Sequence, residues 1–450
     1  MEITSKLAGC AAGVKYEQIP EKTVHQFKRA LLDYLTAALT GSGTTVAERL
    51  LSYLVEADKS RDTSIIGRQE RLSAMNAALV NGSSAHALDF DDGHTQGSLH
   101  PAGAVFPAVF AAAEHRGADA KSIITAVVLG YEITIRISAA MHPSAINRGF
   151  HNTPIAGVFG AAAGVSSLLR ADPGQTLNAL GLAGSFAGGL FEFLGEGAEV
   201  KRLHPGKAAR DGLLCAELGK RGITGPSRVL EGRNGFFKAF AGSEVNYDRL
   251  LKGLGEGFEI DHIYFKPYPC CRHLHAVIDG IKKIKSDYRV QPDQVASVEV
   301  GLYEVGARHN HRHCDNLLDA QMSIPCAAAL AVIDDEVSTG SFAADSVGRP
   351  EVQSMIRQVE VGVDPQCEKS YPARRSAVVE IVLRDGSRYG AKVADPRGEG
   401  DNPMSDADLE EKLLVNCIPI IGREKCRRLL EAVWGFERLT GLFEFYSWGV

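Results

Sequence analysis

The residues best equipped for chemistry crowd into one stretch, Ala85 to Pro107, which reads AHALDFDDGHTQGSLHPAGAVFP. Asp89, Asp91 and Asp92 stand there with His86, His94 and His100. A carboxylate beside an imidazole makes a proton-transfer pair, because it orients the ring and stabilises its charged form. The flanks, SAMNAALVNGSSA and AVFPAVFAAAE, are small and apolar at helical spacing, so they read as buried helices. Charged groups held between buried helices cost free energy unless they are paired or used. The loop is therefore a candidate acid–base site. The plainer reading is a capping loop, with an Asp near a helix start and the His on the surface.

Other segments carry similar groups. Gly149-Phe-His151-Asn-Thr precedes an apolar helix that Asn152 or Thr153 could cap. The free N–H groups of such a helix start favour an anion, which makes His151 an acid, a base or an anion clamp, or else an exposed loop residue. Lys201-Arg202-Leu-His204-Pro-Gly-Lys207 is a basic knot, read as a loop ahead of the next helix. It suits a carboxylate or phosphate, or is a solvated charge run. Two more runs mix Cys and His: Lys266-Pro-Tyr-Pro-Cys270-Cys271-Arg-His273-Leu-His275, and Arg308-His309-Asn-His311-Arg-His313-Cys314. Neither has the spacing of a structural zinc site. The arginines interleaved in the second would repel a cation, so no metal site is expected. Metal-dependent hydrolysis remains a remote rival. No Walker loop, full dinucleotide fingerprint or Gly-x-Ser-x-Gly elbow occurs.

These groups need elements to position them. A chain of 450 residues exceeds one ordinary core, so two domains are expected. Net charge is −6 with interspersed signs and no basic stripe, which argues against nucleic acid as a partner. Nine scattered Cys and no apolar leader segment point to free thiols and a cytoplasmic location. The most apolar run, Ile123 to Ile137, is interrupted by Glu132 and Arg136 and falls short of the ~18 uninterrupted apolar residues of a membrane span, so it reads as a core helix. Helices are expected over 3–13, 22–40, 46–57, 71–81, 104–116, 120–140, 153–169, 175–193 and 207–220. The texture then changes. A helix over 275–286, a strand over 295–304, helices over 319–334 and 350–357, and a hairpin of 376–384 with 387–393 turning at Asp385-Gly386 make an α+β block. Helices return over 405–416, 422–434 and 437–443. The fold expected is mainly α: a discontinuous helical domain of residues 1–264 and 397–450, with a smaller α+β lid inserted over 265–396 and a ligand cleft between them.

Several of these motifs, in this order, resemble the MmgE/PrpD family. They are LDFDDGH…LHPAGAVFPA (88–108), GYEITIRI (130–137), GFHNTPIAGVFGAAAG (149–164), KRLHPGKAARDGLL (201–214), KPYPCCRHLHAVID (266–279), AQMSIPCAAALAV (320–332) and Asn402-Pro-Met-Ser. That family includes 2-methylcitrate dehydratase, cis-aconitate decarboxylase and iminodisuccinate epimerase. The resemblance implies a homodimer and catalysis without metal or organic cofactor, on a small di- or tricarboxylate. It places pocket positions on Asp89, His100, His151, Lys201 and His275. Arg202, His273 and His94 are expected to help bind substrate, as are two positions that depart from the common pattern: Gly93, where many members have Thr, and Cys326, where many have Tyr. The Cys-Cys-Arg-His-Leu-His run looks more like the decarboxylase and epimerase branches than the dehydratases. The reaction expected is proton transfer at a carbon next to a carboxylate, with a lyase favoured. Lys201, Arg202 and His151 would clamp carboxylate, His100 or His275 would move the proton, and Asp89 would orient a His. An epimerase is the close alternative, and a non-catalytic carboxylate-binding protein the remoter one.

Overall fold

The computed structural model describes residues 2–195, 197–439 and 442. They form a mainly helical protein of two compact units. The second unit is Leu194–Glu199 with Tyr264–Met404, and the rest of the described chain makes the first.

The first unit is built on helices α1 (Glu21–Gly41), α2 (Ala74–His86), α3 (Ala102–Arg116), α4 (Ala120–Met141), α5 (Asn152–Leu168) and α6 (Val200–Lys220). Small residues let these helices meet backbone to backbone. A Cβ on Gly82 of α2 would lie 2.4 Å from the Gly103 oxygen of α3 and 2.7 Å from the Gly206 Cα of α6. A Cβ on Gly206 would lie 2.1 Å from the Leu79 oxygen. Only glycine permits that approach. The contact matters because α2 leads into Asp89, α3 follows His100, and α6 begins beside Lys201. α4 is long and apolar enough to cross a membrane, yet it is wholly buried within the protein. Its charges are paired there: Arg136 donates to Glu132 at 2.5 Å and to the Lys252 carbonyl at 2.8 Å, while the Glu259 amide donates to Glu132 at 2.7 Å.

The second unit wraps α7 (His275–Tyr288) and α8 (Ile324–Ile333) against a four-stranded sheet. Its strands are β1 (Val295–Leu302), β2 (Val359–Val363), β3 (Ala377–Leu383) and β4 (Arg388–Val393), in the order β2-β1-β3-β4. β2 runs parallel to β1, and the other pairs are antiparallel. Val298 stands opposite both Val359 and Ile381. The Asp385-Gly386 hairpin forms as expected, with Gly386 at φ 89.

Several boundaries differ from expectation. α6 begins at Val200, so the basic knot is the start of a helix and not a loop. Pro205, which suggested a later start, lies only one turn in, where its missing N–H costs one bond, and the Gly206 contact holds that turn in place. The helix expected over 319–334 breaks at Ser323, whose side chain accepts from the Cys326 amide and caps α8 ahead of Pro325. β2 was not anticipated: VEVGV is short and mostly exposed, as an edge strand is. The helix expected over 175–193 ends at Phe186, and that over 405–416 continues to Ile421. Of the helix expected over 437–443, Phe436–Arg438 form a short 3-10 turn and the remainder lies mostly outside the described residues.

Candidate active site

Lys201 and Arg202 open α6, the positive end of the helix dipole, where cations are disfavoured unless something compensates. Both are 3 % exposed, and both are compensated by the segment after α2. Lys201 Nζ lies 2.9 Å from Asp89 Oδ1, and Arg202 Nη1 donates to the Ala87 carbonyl. Arg202 thus grips the backbone leading to Asp89. Asp89 itself adopts a left-handed conformation, φ 53, which is uncommon outside glycine and tends to persist where function needs it.

His100 Nε2 lies 3.9 Å from the same Asp89 oxygen. Its Nδ1 bonds the Asp92 carbonyl at 2.6 Å. A carbonyl only accepts, so Nδ1 carries the proton and Nε2 faces Asp89. The His100 side chain is 15 % exposed, whereas those of Asp89, Lys201, Asp91 and His86 are 4 % or less. His100 is thus the group in this cluster that water can reload with a proton.

Behind it stands a second acid–imidazole pair. His86 Nδ1 bonds both oxygens of Asp91, at 2.9 and 3.0 Å, and its ring centroid is 5.0 Å from that of His100. His151 and His204 form a third contact, Nδ1 to Nδ1 at 2.9 Å. Burial and the neighbouring His204 hold the His151 imidazole well below its usual range. Burial, with Lys201 and Lys207, lowers His204 to about 4. Both rings are therefore neutral at pH 7, so His151 offers the site a hydrogen bond without a positive charge.

The capping reading holds for one aspartate. Asp92 Oδ1 accepts the Ala102 amide at the start of α3, and Oδ2 accepts the Tyr131 hydroxyl at 2.8 Å. Burial and the nearby Asp33 and Asp91 push its carboxyl well above the usual range. Asn152 and Thr153 do not cap α5. Asn152 donates to the Gly97 carbonyl, and Thr153 accepts the His100 amide, so both fasten the site loop. His94 accepts the Gly97 amide at Nδ1 and faces Glu259 at 3.7 Å through Nε2, which places it in the loop's support. Gly93 is buried beside it.

Four ligand-type atoms, from His86, Asp89, Asp91 and His100, lie within 4.8 Å of one another. Such a set resembles a metal site, but the Lys201 ammonium already stands against Asp89, and a divalent ion would be set against that charge.

His275, His273 and Cys326 belong to the second unit. His275 is fully buried. Its Nδ1 accepts from Arg272 at 3.0 Å and its Nε2 donates to the Cys270 carbonyl at 3.2 Å. Both ring nitrogens thus hold the protein's own groups, and Arg272 goes on to Glu399 and the Pro396 and Arg397 carbonyls. His273 bonds the Tyr303 hydroxyl at 2.5 Å. Cys326 is buried at the start of α8, where the hydrogen bond with the neighbouring Cys314 thiol, together with burial, pushes its own thiol up. Sequence reasoning saw His86, Asp91 and His204 but gave them no role. The signal was present: His86 and Asp91 are five residues apart within the densest acid–imidazole stretch of the chain.

Two family models cover most of the chain. The MmgE/PrpD N-terminal domain matches residues 5–248 and the MmgE/PrpD C-terminal domain matches residues 268–437. Among characterised relatives, the chain is 27% identical to a cis-aconitate decarboxylase of Aspergillus terreus, over 98% of this chain and 94% of that protein. It is 28% identical to a cis-aconitate decarboxylase-like protein of Aspergillus oryzae, over 99% and 96%. It is 25% identical to the cis-aconitate decarboxylase of Mus musculus, over 97% and 91%.

Proposed function

The chain belongs to the MmgE/PrpD family, and from that premise we propose that it is a lyase that decarboxylates a small tricarboxylate of the cis-aconitate type, using its own side chains as acid and cation. One observation carries the reading: Lys201, Asp89 and His100 converge in a buried site, with a cation 2.9 Å and an imidazole 3.9 Å from one carboxylate oxygen. The relatives' activity supports the choice of substrate class.

The chemistry makes definite demands. When the departing carboxyl leaves as carbon dioxide, its bonding electron pair must pass into the neighbouring double bond and onto a remaining carboxylate. A proton must then reach carbon. The balance is one trianion and one proton in, one five-carbon dicarboxylate dianion and one carbon dioxide out. Lys201 supplies a buried cation toward the charge that develops, which is worth more there than in water. His100, whose Nδ1–H is held by the Asp92 carbonyl, takes a second proton from solvent at Nε2 and delivers it to carbon, worth roughly 10²–10⁴ in rate. Asp89 holds both groups, and its left-handed backbone aims the carboxylate at them. His86 and Asp91 buttress the His100 ring. His151, neutral and backed by His204, offers a hydrogen bond without adding charge.

Proton NMR of the purified protein in D₂O, with cis-aconitate, 2-methylcitrate, citrate and iminodisuccinate stereoisomers, tests this. The reading requires a five-carbon product from cis-aconitate, carrying one deuterium. Deuterium entering iminodisuccinate with inversion and no lost fragment would replace it with an epimerase. Loss of water from 2-methylcitrate or citrate would make it a dehydratase.

A further inference from the structure

The second unit brings together two runs that looked unconnected along the chain. Cys271 and His273 come from the segment ahead of α7, and His309 from the loop after β1, yet one ligand-type atom from each lies within 4.8 Å of the others. The two imidazoles stack with centroids 5.3 Å apart and planes inclined by 25°. We propose that Cys271, His273 and His309 form a site for a borderline-soft divalent metal of the zinc class.

The donor chemistry fits. One thiolate and two imidazoles are a preferred set for zinc, with one position left open to water. Tetrahedral zinc holds such atoms roughly 3.3–3.6 Å apart, from bond lengths of about 2.0 to 2.3 Å, so a closure on the order of 1 Å completes the geometry. All three residues are partly exposed, which leaves an entry path.

The supporting shell is already in place. His309 Nδ1 donates to the Met322 carbonyl at 3.1 Å, which fixes the tautomer with Nε2 as the lone-pair nitrogen. His273 Nδ1 bonds the Tyr303 hydroxyl at 2.5 Å, which orients that ring. Both loops are pinned to one short piece of backbone: the Cys271 amide donates to the Gln321 carbonyl at 2.9 Å, and the Ile324 amide donates to the His309 carbonyl at 2.8 Å. The electrostatic objection drawn from the sequence also falls. Arg308 turns to Glu304 and Arg312 to Glu360 and the Val359 carbonyl, on the exposed side of the loop. His311 bonds the Asp319 carbonyl, so of the histidine run it is His309 that faces the thiol.

The inference stands apart from the lyase reading, and its readout is metal content. Purified full-length protein is stripped with chelator, dialysed against zinc chloride, and assayed by elemental mass spectrometry. Retention of about one zinc per chain is expected, lost in Cys271→Ser and in His309→Gln. Cobalt(II) serves as a second probe: a thiolate-to-metal absorption band is expected in the wild type and its absence in Cys271→Ser, with circular dichroism unchanged. If the wild type retains no zinc, or if zinc is retained by both variants and lost instead in Asp91→Asn, the site proposed here is wrong.

Discussion

Replacing Asp89 by Asn puts the candidate site under its sharpest strain. The substitution keeps the shape and removes the charge 2.9 Å from Lys201 Nζ, in a place where both side chains are 4 % exposed or less. At an effective dielectric of about 20, two unit charges at that distance attract by about 6 kcal/mol. Desolvation offsets part of this, and breaking a buried pair from one side costs about 3–5 kcal/mol because the other charge is left without compensation. Asp89→Asn should therefore lower the unfolding free energy by that amount, and Lys201→Met should do the same by removing the cation that faces Asp89. The double variant removes both charges, so it should be more stable than the sum of the single losses predicts, by at least about 2 kcal/mol. Urea denaturation followed by circular dichroism measures all four corners of the cycle. Coupling below about 0.5 kcal/mol would refute the claim that this pair is buried and mutually dependent.

Three other outcomes follow from the same geometry. His204 is neutral in the fold, at about 4, while an unfolded His titrates near 6.5, so the unfolded chain takes up the proton first. Stability is then fully present above pH 6.5 and is lost as pH falls toward 4, by up to about 3 kcal/mol from this group; urea midpoints across that window should fall less steeply in His204→Gln. Gly206→Ala would place a methyl 2.1 Å from the Leu79 carbonyl oxygen, which is backbone and cannot swing away, so a loss of about 3 kcal/mol or more, read as a lower melting temperature, is expected. Lys412, on the Asp406–Ile421 helix, bonds Asp33 at 2.6 Å and the Phe90 carbonyl at 2.8 Å. Because burial raises the Asp33 carboxyl, Lys412→Met should cost about 3–5 kcal/mol near pH 8 and progressively less as the pH falls and Asp33 takes up a proton earlier than an ordinary carboxylate does.

The helical character and the acid–imidazole stretch were legible in the sequence because both are local. Small apolar residues at helical spacing mark the helices, and three Asp with three His within fifteen positions mark the candidate site. What could not be read was tertiary. The start of α6 is hard to place from sequence because Pro205 and a run of cations look like a loop, whereas the packing of Gly206 on α2, the charge of Asp89 and the Arg202 bond to the Ala87 carbonyl support a helix there. β2 went unseen because a five-residue exposed edge strand carries little periodicity. His204 looked like one more member of a basic run, and its place against His151 arises from two helices meeting. His275 is expected at the pocket from the family resemblance, and its hydrogen bonds to Arg272 and the Cys270 carbonyl are contacts that no local pattern announces. Cys271 and His309 are separated by a helix and a strand, so no spacing rule joins them.

Lys201 and His100 are the two groups proposed to perform the chemistry. Steady-state decarboxylation of cis-aconitate, followed by carbon dioxide release, should be compared in the wild type, Lys201→Met, His100→Gln and the exposed control His115→Gln. The account predicts losses of at least about 10² in kcat for the first two variants, with unchanged circular dichroism, and turnover near wild type for the control. Turnover within about threefold of wild type in either Lys201→Met or His100→Gln would contradict it.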